Sequence, residues 1–150
     1  MARAIDLSLL NVISGEGGPF ASVIVKDGHV IAEGRNRVTM LNDPTAHAEI
    51  VAIREACMRL GSFELTGCEI YSTCEPCPMC LGAIYWARPL RVYFGNTAAD
   101  AAKIGFDDAS IYDELRQPMD HRRIPMIQLM RDEAQKAFRA WQQKTDKVRY

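Results

Sequence analysis

Pro44-Thr45-Ala46-His47-Ala48-Glu49 and Cys74-Glu75-Pro76-Cys77-Pro78-Met79-Cys80 are the stretches from which the rest of the chain can be read. Asn42-Asp43-Pro44 offers a helix cap and an early-turn proline, and Ile50, Ile53, Ala56, Cys57 and Leu60 keep helical spacing up to Gly61 as a stop. His47 and Glu49 therefore fall in the first turn of a helix. Pro78 marks the start of a second helix, with Cys77 and Cys80 three apart and near neighbours around its first turn. Positions two apart on a helix differ by roughly 200° in azimuth, so His47 and Glu49 cannot both reach one ion beside the helix. Any ion held by His47, Cys77 and Cys80 must lie off the helix start. Two helix N-termini then converge on it, and their partial positive charge favours thiolate over thiol.

The donor set suits zinc. Three protein ligands leave the fourth tetrahedral position to water, as in catalytic sites, and zinc lowers the pKa of such a water to about 7. Glu49, adjacent and not needed as a ligand, can carry protons between that water and a ring nitrogen or leaving amine. The expected reaction is hydrolytic deamination of an amidine-like carbon. Two blander readings compete. A lone C-x-x-C is often a redox pair or half of a structural zinc site. Cys74, three before Cys77, could also close the tetrahedron as a fourth ligand, which would make a binding protein without catalysis. A glutamate two residues from a ligand has no purpose in such a site.

Outward from this centre, Ile5, Leu9, Val12 and Ile13 give Ala4 to Ile13 helical spacing. Phe20–Val25 and Val30–Ala32 flank Asp27-Gly28, a strong hairpin signal. Glu69–Thr73 and Val92–Phe94 are β-prone and enclose the helix that starts at Pro78, so a βαβ unit is expected. Asn96 to Gln117 is weakly patterned, with one or two helical turns near Ile111 to Leu115. Ile124–Leu129 reads as a last strand at an edge, and Arg131–Gln143 as a helix with Ala134, Ala137, Phe138 and Trp141 on one face. The fold expected is α/β: a three-layer α/β/α sandwich around a mixed sheet of about five strands, one domain over residues 1–150.

Composition sets the outer bounds. The 150 residues are 48% hydrophobic and 25% charged, with 18 Lys plus Arg against 19 Asp plus Glu, a net charge of −1. Such a balance does not advertise a nucleic acid as partner. Met1 to Leu10 lacks the apolar run of a signal peptide, no run approaches a membrane span, and five cysteines leave one unpaired in any disulfide scheme. A cytoplasmic protein with reduced thiols is expected. Cys57 and Cys68 read as buried apolar residues, and His29 and His121 as solvated.

The two opening stretches, extended through Leu81-Gly82-Ala83-Ile84-Tyr85-Trp86-Ala87-Arg88-Pro89, resemble the cytidine deaminase superfamily, whose H-x-E and P-C-x-x-C signature they carry. Gly17-Gly18-Pro19-Phe20, Tyr85-Trp86-Ala87-Arg88-Pro89, Gly105-Phe106-Asp107-Asp108 and the terminal Tyr150 make the chain similar, within that superfamily, to the bacterial zinc guanine deaminases over nearly its whole length. The resemblance implies one zinc per subunit on His47, Cys77 and Cys80, Glu49 as proton carrier, and a purine base as the small-molecule substrate. Asn36, Ala48 and one aspartate of the Asp107-Asp108 pair, taken as Asp108, would contact the base. Phe20 and Trp86 would pack on it. The resemblance also implies a homodimer in which residues 124–150 cross to the partner, bringing Trp141 and Tyr150 near its pocket. Ala21 stands where the family pattern has glycine and is expected to narrow the pocket floor, and against that pattern the chain begins several residues late, which is expected to shorten the first helix. The nearest rival is the tRNA adenosine deaminase, which shares the zinc motif.

Overall fold

A computed structural model describes residues 1–106 and 108–149. These residues fall into two compact units, Met1–Ser110 and Ile111–Tyr150. The first holds a four-stranded sheet in the order β2-β1-β3-β4, formed by β1 (Ala21–Lys26), β2 (His29–Arg35), β3 (Cys68–Cys74) and β4 (Arg91–Asn96). β1 is antiparallel to β2 and β3, while β4 runs parallel to β3, so the sheet is mixed. Asp27 and Gly28 take positive φ, 50° and 77°, at the β1–β2 turn, as the Asp-Gly pair leads one to expect.

Alternation along the strands sends side chains to two layers. On one face Ile24, Ala32, Cys68 and Ile70 pack with Ala52 and Ala56 of α3 (Ala48–Leu60) and Ile84 and Ala87 of α4 (Pro78–Ala87). On the other, Ala21 and Val23 pack with Ala4 and Leu7 of α1 (Ala2–Ser14). Helices thus cover both faces, and the expected layering is present with four strands where about five were expected. Ala21 belongs to the α1 layer, so it does not narrow a pocket floor on the opposite face. α1 itself buries Ala4, Leu7, Ser8 and Asn11 and leaves Ile5, Leu9, Val12 and Ile13 exposed, so its apolar stripe is the outward one. Small residues allow the close approach, and Asn11 is drawn inward by two carbonyls: its Nδ2 donates to Gly18 O at 2.8 Å and Asn36 O at 3.0 Å.

Gly34 on β2 is what seats the start of α3. A Cβ there would stand 2.1 Å from Ala48 O and 2.6 Å from Ala52 N, so no other residue lets the helix lie this close to the strand. A short α2 (Val38–Leu41) and α5 (Ala98–Lys103) were not visible in the apolar pattern. α5 is held by a capping box in which Thr97 and Asp100 satisfy each other's backbone N–H groups. α6 (Ala109–Arg116) follows it.

Beyond Ser110 the second unit continues α6, makes a 3₁₀ turn at Met119–His121 and ends in α7 (Arg131–Gln143), whose bounds match the periodicity. None of these three elements buries a residue. Ile124–Leu129 is not a strand: no ladder among the described residues includes it, and Ile124, Met126, Ile127 and Leu129 are exposed. A strand needs a neighbour for its backbone groups, and Pro125 removes one donor besides.

Candidate active site

The site lies where α3 and α4 begin. His47 is the N-cap of α3 and Cys77 the N-cap of α4, both with extended backbone, and Pro78 is the first helical residue after Cys77. Cys80 sits one turn inside α4 and is fully buried. His47 Nδ1 is 3.5 Å from Cys77 Sγ and 3.6 Å from Cys80 Sγ. A zinc tetrahedron with Zn–S near 2.3 Å and Zn–N near 2.05 Å has an S···N edge of roughly 3.6 Å, so these separations fit zinc taken through Nδ1. Among the described residues these three form the one group of His, Cys, Asp and Glu close enough to hold a metal.

Cys74 is outside that group. Its thiol donates to Thr97 O at 3.7 Å, and burial, followed by the charge of Glu49, pushes its pKa up to about 11. Its sulfur does not come within reach of the other three together, and the described residues supply three donors rather than the four of a closed structural site. Cys77 behaves oppositely. A hydrogen bond from the Cys80 thiol outweighs the cost of burial, His47 adds a second, and its pKa falls to about 4. The same Cys77–Cys80 contact and burial push Cys80 up, and the Cys77 contact raises His47. Zinc takes both cysteines as thiolates, so protons leave the trio as the metal enters.

Glu49, in the first turn of α3, is 6% exposed and points to the same place. Its Oε1 accepts from Ser72 Oγ at 2.6 Å and its Oε2 from Cys80 Sγ at 3.4 Å. In front of it opens a mostly apolar cavity of about 370 Å³, lined among others by Phe20, Asn36, His47, Ala48, Glu49 and Asp108. That volume is in the range of small-molecule sites. Phe20 meets Phe106 edge to face at 4.8 Å and 88°, and this pair walls one side. Asn36 is 7% exposed; its backbone carbonyl is fixed by Asn11, and its Oδ1 accepts from Val38 N at 3.3 Å.

Of the residues expected at the substrate, Phe20, Asn36, Ala48 and Asp108 line this cavity. Trp86 does not. It is 65% exposed near the far end of α4, about nine residues at 1.5 Å rise from Cys77, too distant along the helix to wall the same space. Tyr150, and Asp107 as the alternative to Asp108, fall outside the described residues. The sequence reading missed Ser72, Asn11 and Phe106. Ser72 could have been found by counting in twos along β3 from Ile70, since the same face continues to Ser72 and then Cys74. Asn11 carries no such signal, because nothing local marks a polar residue that turns toward a distant loop.

Residues 1–96 match a family model described as the cytidine and deoxycytidylate deaminase zinc-binding region. The chain belongs to this zinc-binding deaminase family. Over 150 residues this deaminase is 52% identical to a guanine deaminase of Bacillus subtilis (strain 168), covering 100% of this chain and 96% of that relative. The solved structure of guanine deaminase from Bacillus subtilis matches with a TM-score of 0.97 at 52% identity, covering 99% and 95% of the two chains. A structure described as guanine deaminase from Nitrosomonas europaea matches at 0.68 and 30% identity, over 93% and 81%. A tRNA-specific adenosine deaminase of Aquifex aeolicus is 44% identical over 105 residues, 69% of this chain and 67% of that relative.

Proposed function

We propose that this deaminase converts guanine and water to xanthine and ammonia. The observation that carries the reaction is Glu49 buried beside a three-residue zinc ligand set at the head of a base-sized cavity. The substrate rests on full-length similarity to a guanine deaminase. Zinc, when bound by His47, Cys77 and Cys80, supplies the Lewis acid that makes water a nucleophile at neutral pH. Glu49 takes one proton from the attacking water and delivers it to N3 of the base, then takes the second from the hydroxyl now on C2 and delivers it to the departing amine. The C2–NH₂ bond breaks and a C2 carbonyl replaces it. Asn36 offers a donor and an acceptor to the purine edge, Asp108 accepts from its N–H groups, Ala48 lies against it at the start of α3, and Phe20 gives it an apolar wall.

The test is conversion of guanine to xanthine by zinc-loaded protein, followed optically with ammonia release in parallel. Release from a different amino-heterocycle with none from guanine would overturn the substrate. Inosine formed in a tRNA anticodon stem-loop, with guanine untouched, would establish the tRNA adenosine deaminase reading that the Aquifex relative suggests.

The working form we propose is a homodimer in which residues 124–150 are exchanged. Ile124, Ile127, Leu129, Phe138 and Trp141 are exposed in the single chain, and β4 ends the sheet with an open edge. Charge is complementary between the two units: 13 acidic and nine basic residues up to Ser110, six and nine after it. Exchange would also bring Tyr150 toward a partner's cavity. No described helix is long and apolar enough to cross a membrane. Five free cysteines, two of them needed reduced for zinc, support a cytoplasmic location.

A further inference from the structure

We infer that Ser72 is a positioning residue for the proton carrier, tethering one oxygen of Glu49 so that the other is left to move protons. The inference rests on the deaminase reading above and extends it to a residue outside the zinc signature. Ser72 Oγ lies 2.6 Å from Glu49 Oε1, the separation of a hydroxyl donating to a carboxylate. Ser72 is 1% and Glu49 6% exposed, so little solvent competes for the bond. Ser72 is itself fixed in the ladder at the middle of the sheet, opposite Ser22 on β1 and Phe94 on β4.

The other oxygen of Glu49, Oε2, lies 3.4 Å from Cys80 Sγ, on the side of the zinc ligand set. With Oε1 held by Ser72 in the middle of the sheet, Oε2 is the oxygen turned toward the ligand set, and the carboxylate is divided into a held oxygen and a working one. A carboxylate with neither oxygen held would sample several rotamers and pass a proton only from some of them.

Ser22 supplies the control. It faces Ser72 across the β1–β3 ladder, is equally buried, and its hydroxyl has no hydrogen-bond partner among the described residues. The experiment compares zinc-loaded wild type, Ser72→Ala, Ser72→Thr and Ser22→Ala. Ser72→Ala is expected to lose kcat by about ten-fold or more with KM within about two-fold, because the loss acts on proton transfer rather than on base binding. Zinc content is expected to stay at the wild-type level. Ser72→Thr, which keeps the hydroxyl, is expected to recover most of the loss, and Ser22→Ala to resemble wild type. An unchanged kcat in Ser72→Ala, or an equal fall in Ser22→Ala, would overturn the proposal. If Ser72→Ala does not fold, Ser72→Cys, similar in size and a weak donor, takes its place.

A second readout does not depend on turnover. In crystals of the zinc-loaded proteins, Glu49 is expected in one rotamer in wild type and in a different or divided one in Ser72→Ala. The same single rotamer in both would sink the idea. If wild type leaves guanine untouched but deaminates another base, the substrate reading fails, and the Ser72 comparison is made on that base.

Discussion

α3 and α7 are both 13 residues long, and they meet opposite fates. α3 buries Ala48, Glu49, Ile50, Ala52 and Ala56 against the sheet and spends its N-terminus on the zinc site. α7 carries Ala134, Ala137, Phe138 and Trp141 at helical spacing and buries none of them, with Phe138 67% and Trp141 44% exposed. Periodicity settles that each stretch is helical. It does not settle which surface receives the helix, because that depends on what faces it. For α3 the receiving surface is in its own unit, and the close approach at Gly34 was built for it. For α7, on the exchange proposed above, it belongs to a second copy.

The contrast can be broken in graded steps. The largest effect is expected at the chemical end of α3: Glu49→Gln should keep fold and zinc while losing about 10²–10⁴ in kcat, as read by steady-state rates beside metal analysis. Retained turnover would remove Glu49 from the proton path. Next comes the seat of α3. Gly34→Ala sets a Cβ against Ala48 O and should lower stability by about 1–3 kcal/mol, seen in urea unfolding, and should weaken zinc uptake because His47 moves with the helix start. Third, Phe138→Ala combined with Trp141→Ala should leave the urea midpoint of the first unit nearly unchanged but turn a dimer into monomers in sedimentation. A dimer that survives would place its interface elsewhere.

The smallest effect is expected at the surface of the packed unit. Arg3 and Glu33 join α1 to β2 through two hydrogen bonds of 2.7 and 2.9 Å. The Arg3 hydrogen bond holds the Glu33 carboxyl below its ordinary pKa. A carboxylate depressed on folding stabilises above the unfolded pKa, and that contribution fades as pH falls through the folded value. Glu33→Gln should therefore cost at most about 0.5 kcal/mol near pH 7, given the solvent screening of a half-exposed pair. The difference from wild type should vanish only as pH falls through the folded value of Glu33, below the ordinary carboxylate range.

Legibility in the sequence followed the range of the interactions. The Asp27-Gly28 turn, the Gly61 stop and the helix start at Pro78 depend on neighbours a few residues away, and each was readable; the start of α3 was not, since Asn42, expected to open that helix, closes α2, and His47, expected in the first turn, is itself the cap. The zinc ligands were readable because their spacing encodes shape as well as chemistry. α1 was readable as a helix but not the face it buries, since Asn11 answers to carbonyls at Gly18 and Asn36, and no hydrophobicity count anticipates that. Ile124–Leu129 looked like a strand because it has the residues of one. Strand formation needs a partner edge, and composition cannot say whether one is at hand. Ser72 stayed hidden for a plainer reason: serine in a strand is ordinary until the carboxylate opposite it is known.

The open edge of β4 has a consequence for the chain during its own synthesis. β4 is complete at Asn96, well before residues 124–150 leave the ribosome, so each nascent chain displays a row of unpaired backbone groups beside Tyr93 and Phe94. Neighbouring chains on one message present the same edge in the same orientation, and strands so displayed pair readily with copies of themselves. Arg91, held toward Glu69 at 3.4 Å, puts a charge at the start of that edge, and Gly95 near its end weakens the strand there. If the exchange proposed above covers this edge, those two residues are its gatekeepers until then, and yield of soluble protein, more than activity, is the property their replacement would change.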